Sequence, residues 1–458
     1  MEPATVTKKI CKFYLEKKKR GCKFEVYKNS EFCAHHFQGE DVFMPCPLDP
    51  NHTVLKSHLD KHLQICPKVQ HQKRLENSIW YKQDINLPFP GALNPTTVEE
   101  NADEDENCKK NSKHFLQELA KNQPEQYQSL IDNVRVAFNK ALELYKQSLQ
   151  SRPNLSGIDV DTLASEEYLL DMKSHIKVVD TSISDTQKNN QQCENLVNTL
   201  NSFGLLKKEV CYIEYGAGKG ALSHHIALTV PECSNILIEL EGRRNKMDKN
   251  HRENKVFYRI RANIKDFDIN KLPEIINNPT QKSAISLNIP EETKENVQNK
   301  EQEFVGVSKH MCGLASDLTF YSILNAHKPV IPFGFMIATC CHHRCTQELY
   351  MNQNFLNDVG ITSEQKKPFF HISSWGIYRD NFEKNPQREK EPEVVEQDPF
   401  KLDSDTKTVL GLQVKRILDI GRVLCLREKG FNCYLVKYCE KILSPENFVI
   451  IGRQNEDN

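Results

Sequence analysis

Residues 213–220 read Ile213-Glu-Tyr-Gly-Ala-Gly-Lys-Gly220, and this stretch decides the fold. An apolar run, Val210–Tyr215, enters it as a strand, and Ala221–Leu228 leaves it as a helix. Glycines at such a turn adopt backbone conformations closed to other residues and let the chain approach a ligand closely. The spacing is not the Gly-x-Gly-x-x-Gly fingerprint of dinucleotide sites. Further strand-like runs lie at Asn235–Leu240, Val256–Arg261, Phe304–Ser308 and Phe335–Thr339, with helical segments between them. That alternation predicts an α/β fold: a mostly parallel sheet with helices on both faces, whose strand carboxyl ends open on one crevice.

Glu214-Tyr-Gly216-Ala-Gly218-Lys-Gly220 resembles the shorter acid-x-Gly-x-Gly turn of S-adenosylmethionine (SAM) methyltransferases. There the acid can hold the cofactor's amino-acid moiety while the glycines admit its backbone contacts. Glu239, about twenty residues on at the end of the next strand, stands where an acid binds ribose hydroxyls. A turn that needs glycines only for its own geometry is the competing reading.

Two cysteine–histidine quartets precede this domain. The first is Cys11-x10-Cys22-x10-Cys33-x2-His36, the second Cys46-x5-His52-x9-His62-x3-Cys66. Both have the donor set of a structural zinc site, in which the metal supplies folding energy that so short a segment cannot draw from a core. His58 competes with His62, because residues four apart on a helix share a face. His62 is preferred, since His62-x3-Cys66 closes one turn.

The chain has 458 residues and a formal net charge of −1, which argues against a protein that binds polyanions over its whole surface. The charge is unevenly spread: Lys12, Lys17, Lys18, Lys19, Arg20, Lys23 and Lys28 sit in the first quartet beside Phe13, Tyr14, Phe24 and Tyr27. Basic and aromatic side chains together suit nucleic-acid contact. There are 16 cysteines but no secretory leader and no apolar run long enough to span a bilayer. In a reducing compartment cysteines serve as metal ligands or buried hydrophobes, so a soluble protein of nucleus or cytoplasm is expected, without membrane contact. Nothing in the pattern speaks to oligomeric state.

The expected organisation is two zinc units at 1–40 and 41–70, a linker and helical segment at 71–164, and the sheet domain at 165–455. Leu87 to Glu106, rich in Pro, Asn and acid, reads as linker. A helix follows with apolar positions Tyr127, Ile131, Val134, Phe138, Leu142, Tyr145 and Leu149, begun by Pro124 and stopped by Ser151-Arg152-Pro153. Polar insertions at 277–303 and 381–398 read as mobile loops.

Two constellations follow the fourth and fifth strands: Ser308-Lys309-His310-Met-Cys312-Gly-Leu-Ala-Ser-Asp317, and Thr339-Cys340-Cys341-His342-His343-Arg344-Cys345. Lys309, His310, Asp317 and His342 are the candidates for catalytic proton transfer. A metal site built from Cys340, His342, His343 and Cys345 is disfavoured, because neighbours in an extended segment point to opposite sides.

Taken together these segments resemble the eukaryotic tRNA:m(4)X modification enzymes. The resemblance rests on both quartets, on Lys309-His-Met-Cys-Gly with Asp317, on Cys340-Cys-His-His-Arg-Cys345, on Ser374-Trp375, and on Lys415-Arg416-Ile-Leu-Asp419-Ile-Gly421-Arg422 with Tyr438 and Leu443-Ser-Pro-Glu-Asn447. It implies a Rossmann-like class I SAM-dependent methyltransferase domain behind a CCCH and a CHHC zinc finger. It further implies SAM and Zn2+ as cofactors, and transfer to the ribose 2′-hydroxyl of nucleotide 4 in the tRNA acceptor stem; no DNA partner is expected. Asn263 stands where the family's adenine-side Asp is expected, and Gln347 where a Trp usually follows the Cys-rich motif. Arg344, Lys415, Arg416 and Arg422 are expected to hold RNA phosphates. A non-catalytic RNA-binding or splicing protein on a degenerate sheet is the rival reading.

Overall fold

The computed structural model describes residues 9–15, 20–27, 30–33, 36, 43–88, 105–150, 160–171, 184–242, 247–251, 257–277, 301–376 and 402–455. The chain divides into two compact units, Met1–Ser78 and Ile79–Asn458. Parts of the expected acidic linker and nearly all of both polar insertions lie outside the described residues.

The first unit has little regular structure. Strands β1 (Tyr14–Leu15) and β2 (Arg20–Gly21) pair antiparallel, and a second hairpin joins β3 (Phe43–Cys46) to β4 (Asp49–Leu55). Helices α1 (Leu59–Ile65) and α2 (Pro67–Glu76) follow, with Pro67 where its missing N–H costs nothing. Among the described residues of the first forty, the buried cluster is Cys11, Cys22 and Cys33, while Phe13, Tyr14 and Phe24 are exposed. Three thiols are too little apolar surface to fold a segment of this length.

In the second unit, α3 (Asp105–Asn122) and α4 (Pro124–Gln150) lead toward α5 (Asp185–Ser202), which Ser184 and Gln187 start with a reciprocal capping box. Strand β5 (Cys211–Tyr215), α6 (Ala221–Thr229), β6 (Ser234–Glu239) and β7 (Phe257–Arg261) come next. Then follow β8 (Gln302–Cys312), α7 (Leu314–Leu324), β9 (Val330–Cys340), α8 (Ser363–Ile372), α9 (Ser404–Glu428), β10 (Phe431–Lys437) and β11 (Phe448–Gln454).

The seven strands lie in the order β10-β11-β9-β8-β5-β6-β7. Strands β5 to β9 run parallel, and β11 enters antiparallel between β9 and β10. Counted along the chain within the sheet, that is order 3-2-1-4-5-7-6 with the seventh strand reversed. The sequence pattern located five of these strands; β10 and β11 come from the sheet. Order reverses outward from β5 and β8, so their carboxyl ends form the crevice of an open α/β sheet.

Helix α4 buries Tyr127, Ile131, Val134, Phe138, Tyr145 and Leu149 as its periodicity predicts, with Leu142 half-buried, and packs on α9. The Tyr145 hydroxyl accepts the Leu435 N–H at 3.0 Å, tying the helix to β10. Residues 79–88 are fastened to the sheet unit as well: the buried Asn86 amide donates to the carbonyls of Ile264 (2.6 Å) and Phe267 (2.8 Å). Burying one such aromatic or branched side chain contributes about 1.5–3 kcal/mol.

The centre of this unit is ionic. Arg422 of α9, wholly buried, donates through Nη2 to Asp317 Oδ2 at 2.7 Å and through Nε to Oδ1 at 3.1 Å; its Nη1 reaches Asp419 Oδ1 at 3.1 Å. Arg416 adds a contact to Asp419 Oδ2 at 3.3 Å. Two guanidiniums thus balance two carboxylates, and the fork geometry offsets a desolvation cost of several kcal/mol per ion. Arg422→Met leaves both carboxylates buried without their main partner. The unfolding free energy of the full chain, measured in urea, is expected to fall by about 3–5 kcal/mol. A loss under about 1 kcal/mol, as for a surface pair, would refute the network's role.

Candidate metal centres and cofactor crevice

Zinc at about 2.3 Å from sulfur and about 2.0 Å from nitrogen sets tetrahedral edges of about 3.8 Å between sulfurs and about 3.5 Å between sulfur and nitrogen. Both quartets have these edges. Cys22 Sγ and Cys33 Sγ are 3.8 Å apart, and His36 Nδ1 lies 3.4 Å from Cys11 Sγ and 3.3 Å from Cys33 Sγ. In the second quartet Cys46 Sγ and Cys66 Sγ are 3.8 Å apart, with His62 Nε2 3.2 Å from Cys46 Sγ and His52 Nε2 3.6 Å from Cys66 Sγ. The donors therefore fit zinc. Asp49 lies 3.4 Å from the other nitrogen of His52, the position from which a carboxylate orients a ligating imidazole. His58 is exposed and outside this group of four, which takes in His62.

At the carboxyl end of β5, Gly216, Gly218 and Gly220 have φ of 62°, 51° and 78°, which accounts for all three glycines. A side chain at Gly220 would come within 2.7 Å of Leu237, whereas one at Gly218 would meet nothing within 4 Å. The turn therefore faces open space at Gly218, which fits a cofactor approached by backbone. Glu239 accepts the Gly218 N–H at 2.6 Å and the Glu241 N–H at 3.1 Å. Arg259 donates to the Gly218 carbonyl at 2.9 Å while forked onto Asp248 at 2.6 and 2.7 Å, a brace that no sequence signal exposed.

Glu214 is turned inward. It accepts the Ser223 N–H at 3.0 Å in the first turn of α6, and burial pushes its carboxyl up to about 7. Asn263 Oδ1 accepts the Lys265 N–H at 3.1 Å and starts the short turn Ile264–Asp266 after β7.

The β8–β9 ladder slips between Ser308 and Met311, and this irregularity separates the next two candidates. Lys309 is buried and donates to the Asn189 side chain of α5 and, at 3.5 Å, to its carbonyl. Desolvation lowers its pKa below the ordinary lysine value, against the opposing pull of Cys193 and Glu214. His310 is exposed. Asn189, which positions the lysine, carries no motif and was missed.

Asp317 and His342 prove to belong to the buried ionic network. Asp317 is spanned by Arg422 and also accepts the Met351 N–H at 3.2 Å. His342 Nε2 sits 2.9 Å from Asp419 Oδ1, and its Nδ1 has no hydrogen-bond partner among the described residues. Burial alone would raise Asp419, but His342, Arg422 and Arg416 hold it well below the usual carboxylate range. Asp419 lies in the Lys415–Arg422 stretch, where the spacing Arg416, Asp419, Arg422 puts all three on one face of α9.

The expectation that Lys415, Arg416 and Arg422 hold RNA phosphates is overturned. Lys415, buried, donates to the Gly376 carbonyl at 3.1 Å and to Glu446 at 2.6 Å. Arg416 donates to the Leu169 carbonyl at 2.7 Å and covers the Phe448 ring. Such charges, already desolvated and paired, cannot reach a solvated backbone. Arg344 is half-buried. The compact metal run does not assemble either: Cys345 Sγ accepts from Arg422 at 3.2 Å, and Cys340 gathers instead with Cys312 and Cys341.

Comparison with known proteins agrees with this arrangement. A model for the CCCH zinc finger in TRM13 protein matches residues 9–36, one for the U11-48K-like CHHC zinc finger matches 43–67, and one for methyltransferase TRM13 matches 191–453. The tRNA:m(4)X modification enzyme TRM13 of Vanderwaltozyma polyspora is 26% identical over 481 residues, covering 99% of each chain. The human homolog is 25% identical over 520 residues, covering 98% of this chain and 95% of its own. A coclaurine N-methyltransferase structure covers 78% of this chain and 96% of its own at 10% identity, but its TM-score of 0.24 carries no argument. Because the methyltransferase model spans more than half of the 458 residues, and both finger models fall on the two quartets, the chain belongs to the TRM13 methyltransferase family.

Proposed function

We propose that the chain transfers the methyl group of SAM to the ribose 2′-hydroxyl of nucleotide 4 in the acceptor stem of tRNA. One observation carries the reading: the family match spans the glycine turn after β5, open at Gly218, and the buried Lys309 of the neighbouring β8, in a chain whose first residues form two fingers with zinc geometry. Its relatives are named as tRNA:m(4)X modification enzymes.

SAM, when bound, supplies an activated methyl group. Glu239 and the backbone at Gly216 and Gly218 would hold its ribose and amino-acid parts, Asn263 its adenine side, and Glu214 keeps the turn closed onto α6. The protein's remaining task is to place the hydroxyl in line and take its proton, and positioning alone can remove several kcal/mol of barrier. Lys309 is the base: desolvation favours its neutral amine, and Asn189 fixes where that amine sits. The exposed His310 touches the acceptor nucleotide. Asp317 and His342 act as positioning residues, since their polar groups are committed to Arg422 and Asp419. An RNA stem shows its 2′-hydroxyls in a wide, shallow groove, and the exposed Tyr14 and Phe24 of the first finger offer surface for it.

Labelled SAM and unmodified bulk tRNA give the decisive assay, with the product mapped by resistance to alkaline cleavage. A block at acceptor-stem position 4 is expected; a block elsewhere, or a labelled base, overturns the proposal.

For Lys309→Ala, kcat is expected to drop by about 10²–10⁴-fold with SAM affinity retained. In the wild-type enzyme kcat rises with pH as the lysine loses its proton, with an inflection below the ordinary value of about 10.4. That limb disappears in Lys309→Ala, and an unchanged pH profile in the variant would remove Lys309 as base.

Replacing a second-finger ligand, Cys66→Ser, is expected to abolish tRNA binding in gel-shift titrations while calorimetry still records SAM binding. Undiminished tRNA affinity would show that the finger does not grip the substrate.

A further inference from the structure

Cys312, Cys340 and Cys341 bring their sulfurs within 4.8 Å of one another at the carboxyl ends of β8 and β9. Neither finger includes them, and no step of the proposed reaction uses them. Two backbone features create the cluster. The slip between Ser308 and Met311 sets Cys312 directly opposite Cys340, and Gly313, at φ 55°, returns its N–H to the Cys340 carbonyl at 2.9 Å. Cys341 then adopts a left-handed conformation, φ 49° and ψ 42°, one of three non-glycine residues with positive φ among those described. In extended chain the thiols of 340 and 341 would point apart; this kink brings them to one side. Cys341 also starts the short turn His342–Arg344, its carbonyl accepting the Arg344 N–H at 2.8 Å, and non-glycine residues held in this region cluster at ligand clamps.

The geometry points to a third metal site, in which Cys312, Cys340 and Cys341 hold one zinc ion through three thiolates with the fourth position open. Three sulfurs are the donor set of a soft or borderline cation, and three protein ligands plus an exchangeable one is the pattern of an open zinc site. Cys340 is buried, whereas Cys312 and Cys341 are half-exposed, so an ion could enter from solvent. Cys312 Sγ and Cys340 Sγ stand 3.1 Å apart, against 3.8 Å for the sulfur pairs of the fingers. A few tenths of an ångström at each sulfur opens that edge to the zinc value of about 3.8 Å. Binding expels one proton from each thiol to solvent. The ion would clasp the end of β8, which carries Lys309 and His310, to the end of β9, just before His342.

The test is metal content of the full chain, purified without chelator, by mass spectrometry against quantitative amino-acid analysis. Three zinc ions per chain are expected, one for each cysteine-containing group, falling to two in Cys341→Ser with both fingers intact. Two per chain in the wild type and the variant alike overturns the proposal. So does a Cys312–Cys340 disulfide in peptide maps of protein alkylated under argon, because the cluster would then be a redox pair. Should Cys341→Ser fail to fold, cobalt substitution of the wild type decides: sulfur-to-cobalt absorption for eight thiolates supports the site, and absorption for the five finger thiolates alone refutes it.

Discussion

Arg422 heads the fully buried side chains among the described residues by volume, and three parts of the second unit are built around its guanidinium. It reaches Asp317 at the start of α7, Asp419 one turn away on α9, and Cys345 after β9. Asp419 in turn accepts from Thr339 at 3.0 Å and sits against His342, so the end of β9 is fixed from behind. In a low-dielectric interior each of these charges is costly unless its partners stay in place. The cost itself enforces geometry: moving any one element strands a charge, so the strand ends that face the crevice are held by an all-or-none network.

That constraint separates buried, paired charges from those left at the surface. Polar motifs cluster after β8 and β9, yet most of their charges are spent inward. Asp317, His342, Arg416 and Arg422 brace the ends of β8 and β9 from within, Lys415 ties α9 to Glu446, and Lys309 is buried against Asn189, whereas His310 is exposed. Most of the charge in these motifs is therefore support, held by partners inside the fold.

The first unit solves a different problem. With three cysteines as its first buried cluster and several aromatics outside, it cannot fold on apolar burial. Metal ligation supplies that energy, so Tyr14 and Phe24 need not be buried for the segment to fold. Two modes of stabilisation, ionic knot and metal knot, therefore serve two kinds of task in one chain.

Features carried by local spacing were legible in the sequence. Both quartets, the glycine turn, the parallel strands and the apolar stripe of α4 depend on residues near one another in the chain, where ligand spacing and periodicity leave a direct trace. Long-range pairing was not legible. The antiparallel β11 between β9 and β10, Asn189 beneath Lys309, and the inward turn of Glu214 each depend on residues brought together only by the closed sheet. The misreading of Lys415, Arg416 and Arg422 as phosphate ligands has the same origin. A sequence shows that a residue is charged; only the tertiary structure decides whether that charge faces water or a buried counter-ion, because desolvation depends on everything packed around it.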